Sequence, residues 1–136
     1  MHYRNIIFVE APLGDISEAK IEKLVAEEMD KFQNDHWDFY AIGGRWDKTL
    51  NGRNIIPIEE IRQKHLDDCH SMILGGSWFA REIYRPWRPI GNGPGKMFER
   101  KPKTEMPCAR WLRKEYKTQT GRYNYQFFAV AFDIHN

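Results

Sequence analysis

Two cysteines in 136 residues, Cys69 and Cys108, are too few and too far apart for a disulfide framework or a paired-cysteine zinc site. A reduced, cytosolic setting is the expectation. No apolar run approaches the roughly 20 residues that cross a bilayer. The N-terminus enters a strand pattern directly, with no signal-peptide pattern ahead of it, so no membrane partner is expected. No heptad or obvious apolar seam specifies an oligomer. Small sheets with an exposed edge often pair, which keeps a homodimer open. The length fits one domain over residues 1–136, large enough for a real core.

Aromatic residues are the surplus, 14% of the chain, with five Trp, six Tyr and eight Phe. Such side chains fill small cores or serve as stacking platforms for bases. The net charge of +2 conceals a segregation. Residues 81–122 carry twelve Lys/Arg against four Glu, a balance of +8, while the rest carries nine against fifteen, a balance of −6. A field of that shape draws an anionic partner to one side.

Asn5–Val9 reads as a strand that is apolar on both faces, hence central. Asp15 and Glu18 open a helix to about Phe32, with Ile21, Leu24, Val25, Met29 and Phe32 as its inner stripe. Trp37–Ile42 predicts a second strand, and Asn51-Gly52 a turn. Pro57 opens a predicted second helix to Ile73, with Ile58, Ile61, His65, Cys69 and Met72 inward and Gly75-Gly76 as its stop. Residues 77–103, with four prolines and Gly91-Asn92-Gly93-Pro94-Gly95, read as a loop. A third helix is expected from about Glu105 to Lys117. The last strand, Tyr123–Ile134, shifts its apolar positions from odd to even, which requires a bulge near 127 or two covered faces. The sum is an α+β chain: a small, mostly antiparallel sheet with two to three helices on one face. A ferredoxin-like arrangement with the last strand beside the first is the best single topology.

The most informative run is Asp38-Phe39-Tyr40-Ala41-Ile42-Gly43-Gly44-Arg45-Trp46. An aromatic strand stops at two glycines and presents a guanidinium beside an indole. Gly43 and Gly44 allow a positive φ or a close approach, Arg45 offers a planar fork of donors, and Trp46 a stacking face. In the opposing reading Arg45 pairs with Asp38 or Asp47 and Trp46 fills the core. The pattern returns at Leu74-Gly75-Gly76-Ser77-Trp78. Cations and aromatics also interleave later, through Arg81, Tyr84, Arg85, Trp87, Arg88, Lys96, Phe98, Arg100, Lys101 and Lys103, as on surfaces that contact nucleic-acid backbone. No known nucleic-acid signature accompanies them, and a rigid protein-docking loop is the other reading.

Two Asp/His pairs stand at i and i+2, His36/Asp38 and Asp133/His135, where a strand would point both members to one face. If the strands are neighbours, the four could act as dyads or gather a divalent metal for phosphodiester chemistry. His65, Asp68 and Cys69 have helical metal-ligand spacing, but a packed histidine and a small buried thiol explain them more simply.

The run Asp38-x-Tyr40-x-Ile42-Gly43-Gly44-Arg45-Trp46, joined to a terminal aromatic strand ending Asp133-x-His135, resembles a group of small bacteriophage proteins of unassigned function. Their usual pattern has valine before that aspartate, where this chain has Phe132. The resemblance covers both ends of the chain and carries over no catalytic residue. It implies expression in a bacterial host cytoplasm and a part in host takeover or counter-defence.

Two functions follow as expectations. The first is binding without turnover of an anionic nucleotide, a nucleic acid or a nucleic-acid-handling host complex. Tyr40, Gly43, Gly44, Arg45, Trp46, Trp78, Arg85, Trp87 and Arg88 are its candidate contacts, and it uses no cofactor. The second is a small metal-dependent phosphodiesterase or nucleotide-modifying enzyme built on His36, Asp38, Asp133 and His135.

Overall fold

The structure is a computed structural model and describes residues 2–32, 39–80, 106–116 and 124–135. In chain order the elements are β1 (His2–Pro12), α1 (Glu18–Asp30), β2 (Phe39–Ile42), β3 (Ile55–Pro57), α2 (Gln63–Asp67), β4 (Ser71–Leu74), β5 (Ser77–Ala80), α3 (Ala109–Trp111) and β6 (Tyr125–His135). Single 3₁₀ turns occupy Gly44–Trp46 and Ile58–Glu60, and α3 continues as a π-helical stretch, Leu112–Tyr116.

The class is α+β, as expected. All the described strands join one mixed sheet of order β2-β6-β1-β4-β5, with β3 also paired to β6. The last strand does lie beside the first: β1 and β6 pair antiparallel without interruption from His2↔His135 to Pro12↔Tyr125. That unbroken register answers the phase shift in the last strand. There is no bulge; both faces are covered. Phe127, Ala129 and Ala131 belong to one apolar cluster, and Val130, Phe132 and Ile134 to the other.

The two clusters also change where the helices sit. Helix α1 covers one face through Ile21, Val25 and Met29, while α2, α3 and the Ile58–Glu60 turn contribute Leu66, Ala109, Leu112 and Ile58 to the other. The sheet is therefore sandwiched, not covered on one face alone. Ser17 is the cap of α1, its Oγ accepting the Lys20 N–H at 3.2 Å, so Asp15 lies outside the helix. β4 runs parallel to β1 and pairs antiparallel with β5. Although the first six elements run β-α-β-β-α-β, that parallel pair makes the sheet mixed, and β5, α3 and β6 follow.

The predicted helix over 57–73 is replaced by shorter pieces. Pro57 ends β3, the chain makes a 3₁₀ turn and the five-residue helix α2, and Ser71–Leu74 is a strand. The expected inward residues are nonetheless buried: Ile58, Ile61, His65, Cys69 and Met72. Gly75-Gly76 is the two-residue turn of the β4–β5 hairpin, with Leu74 opposite Ser77 and φ of +57° and +79°. Positive φ at both positions fits the right-handed twist of the flanking strands. The loop predicted from residue 77 thus begins with a strand.

Candidate functional site

β2 and β3 share one edge of β6. β2 occupies it from His135 to Phe132 and β3 from Val130 to Phe128. Between them the Gly43 N–H donates to the Ala131 carbonyl at 2.8 Å, and the Ala131 N–H donates to the Asn54 carbonyl at 2.7 Å. Residues 44–53 leave the sheet and return to it at these two bonds. The return is tied by Asn54, whose Nδ2 donates to Asp47 Oδ1 at 2.7 Å while its Oδ1 accepts the Lys48 N–H at 2.5 Å. Asn51-Gly52 forms the tight turn expected of it, flanked by the reciprocal Leu50/Arg53 bonds at 3.0 and 2.9 Å.

The start of the excursion is fixed by a buried carboxylate. Asp133, 4% exposed, accepts the Arg45 N–H at 3.0 Å through Oδ2. The Trp46 N–H donates to the Gly43 carbonyl at 2.9 Å and closes the turn. Gly43 carries no side chain to cap it, so Asp133 supplies the acceptor from the neighbouring strand. Gly44, at φ +55°, lies so close above that carboxylate that a Cβ would fall 2.5 Å from Asp133 Cβ and 2.8 Å from its Cγ. Both expected roles of the pair, positive φ and close approach, are met at Gly44.

Asp133 also accepts the Nδ1–H of His2, at 2.9 Å to Oδ1 and 3.1 Å to Oδ2. The expected Asp133/His135 dyad is therefore rearranged. His2 from β1 holds the carboxylate, while His135 stacks on Phe39 with centroids 4.6 Å apart and planes 9° from parallel. The His2 and His135 rings meet edge to face at 4.9 Å. Strand alternation puts Arg4, opposite Asp133 in the register, on the same face. The Arg4 N–H donates to His70 Nδ1 at 2.7 Å, and His70 meets Trp46 edge to face at 5.7 Å. One end of the sheet thus holds a buried acid bonded to His2 and to the Arg45 backbone, with His135, Trp46 and His70 nearby and Arg4 at the strand position opposite the acid.

The Arg45 side chain is exposed, and among the described residues its guanidinium makes no hydrogen bond or ion pair. It is not paired with Asp47, whose Oδ1 accepts from Asn54. Trp46 is half-buried.

Other expected contacts lie elsewhere. Trp78 packs edge to face on Phe32 at 5.0 Å, under α1 on the opposite face. Tyr40 lies on that face too, its ring 4.9 Å from Phe132. Burial, and then the charge of Asp30, push its hydroxyl pKa up. His36, Asp38, Arg85, Trp87 and Arg88 lie outside the described residues, as do Lys96, Arg100, Lys101 and Lys103.

His65 takes its simple role. Its Nδ1 accepts the Arg62 N–H at 2.9 Å, which leaves Nε2 to donate to Asn51 Oδ1 at 3.1 Å. Burial, followed by the charges of Lys64, Arg62 and Arg4, lowers its pKa. Cys69 Sγ donates to the His65 carbonyl at 3.1 Å. Among the described residues no group of three or more His, Cys, Asp or Glu is placed to hold a metal ion.

Sequence reading missed His2, Arg4 and His70. His2 lies 131 positions from Asp133, so no local spacing links them. The available signal was the pairing of first and last strands, which sets His2 opposite His135. Set against protein families, curated proteins and solved structures, the chain finds no match in any of the three.

Proposed function

We propose that the Gly44–Trp46 end of the sheet binds the phosphate groups of a nucleotide or nucleic acid, with Arg45 as the principal contact and Trp46 as a stacking wall. The observation that carries this reading is the contrast within Arg45: its backbone N–H is held by a buried carboxylate, while its guanidinium stands exposed on a fixed turn. Fixing the backbone lowers the entropy lost when the side chain takes a ligand. A guanidinium matches phosphate oxygens two at a time. Arg4 and His70 bring further donors to the same end. The resemblance to small bacteriophage proteins supports an accessory role toward host nucleic-acid machinery.

The test is titration of a fluorescent single-stranded oligonucleotide at rising salt. Affinity should fall steeply as counterions compete. Arg45→Ala should hold stability within about 0.5 kcal/mol, as for an exposed site, while lowering affinity and flattening the salt slope. If Arg45→Ala instead destabilises by several kcal/mol with affinity intact, Arg45 is a structural ion-pair partner and the reading fails.

A further inference from the structure

The contact between His2 and Asp133 does more than bury a charge. An ionised carboxylate only accepts hydrogen bonds, so the proton on the bond lies on His2 Nδ1 and the lone pair on Nε2. That is the arrangement by which a carboxylate fixes the tautomer of a general base. The carboxylate is itself held from its other side by the Arg45 N–H, so one group orients both the imidazole and the anion-binding turn. A second imidazole, His135, lies edge to face with the first at 4.9 Å. It is backed by Phe39, which is 50% exposed and offers a base a surface to stack on.

We infer that His2 and His135, with Asp133 as the positioning residue behind His2, form an acid–base pair that cleaves the phosphodiester bonds of RNA. The inference rests on the binding reading for the position of the phosphate, beside Arg45. His2 Nε2 takes the proton of a ribose 2′-hydroxyl. The 2′-oxygen then attacks phosphorus, the bond from phosphorus to the 5′-oxygen breaks, and that oxygen receives a proton from the His135 imidazolium. The products are a 2′,3′-cyclic phosphate and a free 5′-hydroxyl. One proton is removed and one delivered, so the step asks for no co-reactant. RNA is selected because its own hydroxyl is the nucleophile.

The test uses the untagged chain, a single-stranded RNA oligonucleotide in EDTA, and the same sequence as DNA and as 2′-O-methyl RNA. The RNA should be cut to cyclic-phosphate ends, with the other two intact but bound. His2→Ala and His135→Ala should each lower kcat by about 100-fold or more, and added imidazole should restore part of the His2→Ala rate. Asp133→Asn should lower kcat with KM little changed, the mark of a misdirected tautomer. If that variant fails to fold, the half-buried His2 still decides the question through imidazole rescue. Full activity in His2→Ala, equal cleavage of DNA, or loss of activity in EDTA would each overturn the assignment. Binding of the 2′-O-methyl strand with no cleavage of RNA between about pH 5 and 8 would overturn the acid–base pair and leave the binding reading intact. Cleavage without measurable binding would do the reverse.

Discussion

Gly43-Gly44-Arg45-Trp46 and Gly75-Gly76-Ser77-Trp78 look like two copies of one motif, and the fold uses them oppositely. In the first, the glycines turn the chain out of the sheet over Asp133, leaving Arg45 exposed and Trp46 beside His70. In the second they return it directly into a hairpin, and Trp78 packs on Phe32 under α1. All four glycines have positive φ, so backbone freedom does not distinguish the copies. The space above the glycine does. A Cβ on Gly44 would run into the Asp133 side chain, whereas one on Gly75 or Gly76 would meet only ordinary contacts, 3.6 Å from the Tyr116 hydroxyl and 3.9 Å from Lys31 Cδ. A glycine pair is thus read by what lies opposite it.

The largest effect that sharpens this contrast is expected at Gly44. Gly44→Val adds a β-branched side chain at φ +55° and drives it into a buried carboxylate. Denaturant unfolding should show a loss of about 3 kcal/mol or more, since strain and collision add. A loss below about 1 kcal/mol would mean the turn rearranges cheaply, and the two copies would be alike after all. The tryptophans should separate next. Trp78→Ala removes a ring from the α1 face and should cost about 2–3 kcal/mol, somewhat below the range for fully buried aromatics. Trp46→Ala should cost about 1 kcal/mol and show chiefly in oligonucleotide binding. Equal stability losses would contradict the different roles. The smallest effect belongs to Gly76→Ala, where only the backbone objects. About 1–2 kcal/mol is expected from thermal melts, with oligonucleotide affinity unchanged.

Much of the frame was legible from local pattern. The inner stripe of α1, the central β1 and the Asn51-Gly52 turn all follow from periodicity and turn chemistry, while the phase shift in β6 left a bulge and two covered faces as alternatives that only the register decides. The misreading of 57–73 has a specific cause. Ile58, Ile61, His65, Cys69 and Met72 are buried at helical intervals, but a 3₁₀ turn, a short helix and a strand deliver them in succession. All four residues of β4 are buried, so that strand lacks the period of two that would have marked it. The better signal was two short apolar runs, Met72–Leu74 and Trp78–Phe79, hinged on Gly75-Gly76. In the site, Gly43, Gly44 and Arg45 stood out because their chemistry is local. Asp133 was legible as an acid, but not as the cap of a turn 88 positions away. That role exists only once β2 and β1 lie on either side of β6.

The placement of β6 sets a schedule for biosynthesis. The strand that lies between β1 and the β2/β3 edge is the last described element to emerge from the ribosome. Until it does, among the described strands β1 has no antiparallel neighbour and β2 and β3 have no partner, and the Gly44–Trp46 turn lacks its acceptor. The first strand must therefore wait for the last, a sequence separation that slows folding and leaves an apolar strand edge open meanwhile. Translation that stops short of β6 yields a chain with neither its central pairing nor the carboxylate that holds the Gly44–Trp46 turn.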